Sequence, residues 1–278
     1  MNKLVLALTT ASLLALTACG GGGDEDAPVQ VNQPTNPSGG GTGGGTGGGT
    51  GGNTGGNTGG GTNTSTIGNA VKFNKSGTEQ STKFQSTTSD LNVLVVDGVK
   101  LPVGAGTGIS AGTFMTLSGG SINGLKYNGG IFGGTAHAYS RYGLVKDTSD
   151  NVFIYYQGNP TSTMPTTGTA KYNGYSVAYK QADGKTYTGN AAFDVDFGGK
   201  TITGTLSNFT EKAMSGTSGS STIANVSLKA NISGNSFSGK NGNVQTDGKF
   251  YGTNAAEMAG KFSDSTTKIQ GAFGTKKQ

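Results

Sequence analysis

Residues 191–197 alternate. Ala191-Ala192-Phe193-Asp194-Val195-Asp196-Phe197 sets Phe193, Val195 and Phe197 on one face of an extended chain, with Asp194 and Asp196 on the other. A period of two is the spacing of a strand with one buried face. Gly198-Gly199-Lys200 follows as a turn, then Thr201-Ile202-Thr203-Gly204-Thr205-Leu206 as the returning strand. This is a hairpin. The segment Val226-Ser227-Leu228-Lys229-Ala230-Asn231-Ile232 alternates in the same way, and Gly234-Asn235 turns it into Ser236-Phe237-Ser238-Gly239. No window of residues 66–278 keeps a 3.6-residue apolar period over three turns, so the folded part is all-β.

Eight short strands are expected after Gly168, near residues 170–179, 187–197, 201–209, 226–232, 236–244, 248–252, 257–263 and 268–273. Tight turns between them make neighbours antiparallel. Eight such strands suit a small closed barrel filled by its own side chains. Glycines inside these strands, such as Gly189, Gly204 and Gly260, are expected where a coiled strand bends. Residues 66–165 are less regular. Leu91-Asn92-Val93-Leu94-Val95-Val96, Asp97-Gly98 and Val99-Lys100-Leu101 read as strand, turn and strand. Residues 151–156 read as another strand, with Val152, Ile154 and Tyr156 on one face. A smaller β-rich domain over 66–165 therefore precedes a barrel over 166–278, with Pro160 and Pro165 interrupting any ladder at the boundary.

Of the 53 glycines in the 278 residues, 20 lie in residues 20–65. That stretch repeats Gly-Gly-Gly-Thr and Gly-Gly-Asn-Thr and has almost no apolar side chains, so it reads as a disordered tether. As a flexible coil its ends would lie roughly 35–40 Å apart. Residues 1–18 read as an export signal: Lys3, then a mostly apolar run too short to span a bilayer, then Leu16-Thr17-Ala18-Cys19. That ending resembles the bacterial lipobox, which makes Cys19 the site of lipid attachment and begins the tether there. Gly20 in place of Asp points to the outer membrane rather than the inner. Several acyl chains on one cysteine give a firm anchor.

The remaining chemistry is sparse. One His, one Cys and 13% charged residues leave no structural zinc cluster, no disulfide within the chain and no nucleophile–base pair. No metal-loop spacing and no catalytic constellation is present, so the reading is not an enzyme. Residues 66–278 carry 19 basic and 12 acidic residues. That excess either steers acidic partners or simply keeps the domain soluble. With no Lys/Arg run, nucleic acid is not an expected partner. Phe114, Met115, Tyr127 and Phe132, spread through a glycine-rich stretch, read either as the core of the smaller domain or as a recognition surface.

The residues also carry a resemblance. Phe250-Tyr251-Gly252-Thr253-Asn254-Ala255-Ala256-Glu257-Met258-Ala259-Gly260-Lys261-Phe262, followed by Gly271-Ala272-Phe273-Gly274-Thr275-Lys276, resembles the last barrel strands of the transferrin-binding protein B family. Thr253 stands where that family usually has Pro. Tyr155-Tyr156-Gln157-Gly158-Asn159-Pro160-Thr161, Met164-Pro165 and Gly168-Thr169-Ala170-Lys171-Tyr172 resemble its junction from a small handle domain into the barrel. The chain has room for one handle–barrel lobe, which makes it similar to the single-lobe haemophilin-type haemophores. The resemblance implies a surface-exposed outer-membrane lipoprotein that binds a host protein, in iron acquisition or immune evasion, and reaches the cell exterior through an outer-membrane lipoprotein translocon. It also brings in haem as a ligand. On that reading His137 is the axial ligand, Tyr139 and Tyr142 flank the porphyrin, and Arg141 meets a propionate. The residues themselves require no cofactor, and His137 reads equally as an exposed loop histidine. A structural or adhesive surface lipoprotein is the other alternative.

Overall fold

A computed structural model describes residues 66–85, 90–104 and 113–278. All of them fall within one compact unit, Gly59–Gln278. Cys19, the signal segment and the tether lie outside the described residues.

The C-terminal half is a closed antiparallel barrel of eight strands in sequence order: β11 (Thr169–Lys180), β12 (Lys185–Asp196), β13 (Thr201–Glu211), β14 (Val226–Ser233), β15 (Ser236–Asn241), β16 (Val244–Tyr251), β17 (Glu257–Asp264) and β18 (Ile269–Lys277). β18 pairs back onto β11, Tyr172 opposite Lys277 through Lys180 opposite Ile269, which closes the ring. The alternation in β12 has its expected outcome: Phe193, Val195 and Phe197 are buried, while Asp194 is exposed beside Lys171. The interior is packed mainly by phenylalanines, with Phe193, Phe237, Phe250 and Phe273 in ring contact.

Two of the interior glycines explain themselves by space rather than by bending. A Cβ at Gly204 would lie 2.1 Å from the Phe193 ring on the neighbouring strand, and one at Gly248 would lie 2.1 Å from Phe237. The rings occupy the room that the glycines leave, which fills a small barrel without widening it. Residues 236–244, expected as one strand, are broken after Asn241. Gly242 has φ of 60°, so Asn241-Gly242-Asn243 is a left-handed turn and β16 begins at Val244.

The preceding half contains β1 (Ile67–Phe73), β2 (Glu79–Gln80), β3 (Val93–Val96), β4 (Val99–Pro102), β5 (Phe114–Leu117), β6 (Gly120–Ile122), β7 (Leu125–Tyr127), β8 (Gly129–Gly133), β9 (Ser140–Lys146) and β10 (Val152–Gly158). Six of these form one sheet in the order β2-β1-β10-β9-β8-β5, and β3-β4 and β6-β7 are separate hairpins. All seven residues of β10 are buried because both sheet faces are covered. Val152, Ile154 and Tyr156 share one cluster with Val177, Tyr179, Tyr251, Ala259 and Ala272 on the outside of the barrel. Phe153 and Tyr155 pack on the opposite side against Leu94, Val96, Leu101 and Ile122 of the hairpins. Met115, Tyr127 and Phe132 belong to that second cluster and Phe114 is half-buried, so these aromatics are core and not a recognition surface.

Candidate functional site

The loop between β8 and β9, residues 134–139, runs along the seam between handle and barrel. It is folded inward by one barrel residue. Glu257, 3% exposed, accepts hydrogen bonds from the Ala138 N–H (2.8 Å), the Tyr139 N–H (3.1 Å) and the Ser140 hydroxyl (2.8 Å). Three donors on one carboxylate offset its removal from water.

His137 rides on this arrangement. Its side chain is 9% exposed, so it is not an exposed loop histidine. Nδ1 lies 3.0 Å from Ser140 Oγ. The serine proton is given to Glu257, so Nδ1 carries the hydrogen and Nε2 is left with its lone pair. Burial holds the imidazole pKa down to about 4, and the charges of Lys276 and Arg141 push the same way. The 3.6 Å approach of Nδ1 to Glu257 is therefore a contact of a neutral ring with a carboxylate at neutral pH and not an ion pair.

The other residues expected to surround a haem are placed differently. Arg141 is committed: Nη1 donates to the carbonyls of Gly134, His137 and Ser140, and Nε donates to Asn92 Oδ1. It holds the loop and is not free to meet a propionate. Tyr142 is fully buried, its ring between Gly133 and Gly274, so it does not offer a face to a porphyrin. Tyr139 is half-buried against Gly252. His137 alone of the four presents a nitrogen suited to coordination.

Beside His137 lies a cavity of about 210 Å³, walled by residues of both halves, among them Tyr142 and Ala136 of the handle and Asn173, Tyr175 and Lys276 of the barrel. It is smaller than the roughly 300–1,000 Å³ of pockets that enclose drug-sized ligands. Glu257, Lys276 and Tyr175 were not singled out as site residues by the sequence. The one available signal is Glu257 itself, an acid set between Ala256 and the apolar Met258 and Ala259.

One handle sheet laid on one eight-stranded barrel, joined through an apolar cluster with the polar 134–140 loop at its edge, defines a single-lobe handle–barrel architecture. Residues 164–277 match the family described as C-lobe and N-lobe beta barrels of Tf-binding protein B. An uncharacterized protein of Haemophilus influenzae is 34% identical over 212 residues, covering 69% of this chain and 68% of that one. Neisserial heparin binding antigen of Neisseria meningitidis is 31% identical over 167 residues, 58% of this chain and 32% of its own length. Transferrin-binding protein B of Moraxella catarrhalis is 32% identical over 160 residues, 45% of this chain and 21% of its own. Among solved structures, transferrin-binding protein B of Haemophilus parasuis superposes with a TM-score of 0.53 at 22% identity, over 76% of this chain and 45% of that one. The barrel, residues 164–277, belongs to the family of transferrin-binding protein B barrels, and the described residues have the fold of one handle–barrel lobe. That is a family of binding proteins and not of enzymes.

Proposed function

We propose that this protein is a lipid-anchored receptor on the outer face of the bacterial outer membrane, and that its lobe binds a host protein. The observation that carries the reading is the single handle–barrel lobe, shared with proteins named for binding transferrin. The sequence ahead of the lobe supports the address. Residues 1–18 serve as signal peptide, Cys19 takes the lipid, and residues 20–65 hold the handle (66–165) and barrel (166–278) away from the headgroups. Export to the outer face calls for an outer-membrane lipoprotein translocon. Iron acquisition or immune evasion is the purpose such display would serve.

Capture from host serum on the immobilised protein, read by mass spectrometry, tests the partner. One plasma protein retained in stoichiometric amount is expected, and recovery of none overturns the reading. Protease added to intact cells is expected to release the lobe. Cys19→Ala is expected to move the protein out of the membrane fraction.

A second reading is haem capture, favoured by the free Nε2 of His137. It requires the adjoining cavity to widen, since Arg141 and Tyr142 are occupied as placed. A Soret band that His137→Ala abolishes supports it, and an unchanged spectrum on adding haem rejects it.

A further inference from the structure

The handle covers the barrel along β16, β17, β18 and the second half of β11, through Tyr251, Ala259, Ala272, Val177 and Tyr179. The outer face of the first half of β11 and of β12–β15 contributes nothing to that cluster. Three concavities of about 350, 590 and 450 Å³ lie on this free face and open to solvent. They adjoin. Lys171 and Asp194 line both the first and the second, Lys229 lines the first and the third, and Thr203 lines all three. Together they form one trough from β11 to β15, four interstrand spacings or roughly 19 Å long.

Register and side-chain size shape the trough. Lys171 stands opposite Asp194, Asp194 opposite Thr203, and Thr203 opposite Lys229 on successive strands. Threonine is short and lysine long, so Thr203 is floor where the lysines are walls. The β14–β15 ladder ends at Asn231 opposite Ser238. The same register carried two residues further sets Lys229 opposite Lys240, and both line the third concavity. Like charges side by side on neighbouring strands repel. The Lys171 ammonium is met by Asp194 at 2.6 Å, whereas Lys229 and Lys240, both exposed, form no ion pair among the described residues. The other exposed groups of the trough are hydroxyls and amides, Thr201, Thr205, Ser227, Asn173 and Asn231 among them. None of its exposed side chains is aromatic, so it has no platform on which a nucleobase could stack. Ala192 is its one exposed apolar side chain, which gives a peptide little to bury.

We infer that this trough is a binding site for an acidic polysaccharide, its acid groups drawn to Lys229 and Lys240 and its hydroxyls bonded by the threonines and asparagines of the floor. An acid group between the two lysines relieves their repulsion and accepts charge-assisted hydrogen bonds from both. A chain rich in hydroxyls matches a surface of hydroxyls and amides, each of which can donate and accept. The site rests neither on the host-protein reading nor on the haem reading.

Calorimetric titration of the full chain with a polygalacturonate oligosaccharide, with its methyl ester and with polyglutamate tests this. Saturable binding of the polygalacturonate is expected, with Kd on the order of 0.1–1 mM from a few exposed contacts. The methyl ester keeps the ring hydroxyls and loses the charge. Polyglutamate keeps the charge and lacks the hydroxyls. Each should bind about fivefold more weakly or less. Lys229→Gln combined with Lys240→Gln should weaken polygalacturonate about fivefold, the worth of two exposed ion contacts, without lowering the melting temperature. Lys100→Gln combined with Lys126→Gln takes the same charge from exposed positions of the handle and should leave the binding unchanged. No saturable heat with polygalacturonate overturns the proposal. Equal binding of polyglutamate, or an equal loss in the handle pair, marks attraction by net charge alone and overturns it as well.

Discussion

A carboxylate in an apolar setting needs protein donors in place of the water its oxygens lose. Glu257 meets that condition through three donors supplied by a segment 117–119 residues away in sequence. Glu257→Gln keeps the volume but replaces one acceptor with a donor. It is expected to cost about 1–3 kcal/mol in a denaturant titration, and no loss would mean that the loop is held by other contacts. His137 sets a pH dependence. Its folded pKa of about 4 lies below the unfolded value near 6.5, so only the unfolded chain takes up this proton in between. The contribution of His137 to stability is therefore full above pH 6.5, falls as pH drops towards 4, and then levels. Between pH 7 and 4.5, His137→Gln should lose about 2–3 kcal/mol less than the parent protein. Two tyrosines form a control pair. Tyr251 donates to the Ile67 carbonyl at 3.0 Å, whereas the buried Tyr155 hydroxyl has no partner. Tyr251→Phe should cost about 1 kcal/mol and lower the melting temperature, whereas Tyr155→Phe, which removes a buried hydroxyl that bonds nothing, should raise it.

At the scale of the strand, what the sequence displayed depended on how many faces each strand buries. β12 buries one face, and its alternation made the barrel readable. β10 buries both, yet Val152, Ile154 and Tyr156 still separate from Phe153 and Tyr155 because successive residues must point to opposite sides. The break at Gly242 was legible in the residues, since 238–243 carry no apolar side chain and Asn241-Gly242 is a turn dipeptide, but the single-strand reading ran across it. The seam was the least readable part. Nothing local to residues 134–141 announces that a glutamate more than a hundred residues later will receive them. Its presence turned a loop histidine and a free arginine into fixed, occupied groups. β18 shows the same dependence on distance. Gly274 lies under the Tyr142 ring of β9, so Gly274→Ala drives a methyl group into the handle. The expected cost is about 1–3 kcal/mol, measured by chemical denaturation, together with weaker protection of β9 amides from exchange.

Across the whole lobe, the barrel supplies nearly half of the apolar cluster beneath the handle sheet. Val177, Tyr179, Tyr251, Ala259 and Ala272 face outward on the barrel and are covered only by the handle sheet. Handle and barrel should therefore unfold together, with far-ultraviolet dichroism and tyrosine fluorescence sharing one midpoint. A fragment of residues 166–278 should expose that patch and bind a hydrophobic dye, and a well-behaved monomer that ignores the dye would contradict this. The closing pair of the ring has a kinetic consequence. β11 waits about a hundred residues for β18, and β18 carries the glycine on which Tyr142 rests. Until that last strand arrives, the ring stays open and one wall of the handle's underside is missing. A chain with this connectivity remains threadable along nearly its whole length, and locks only when its final strand is released.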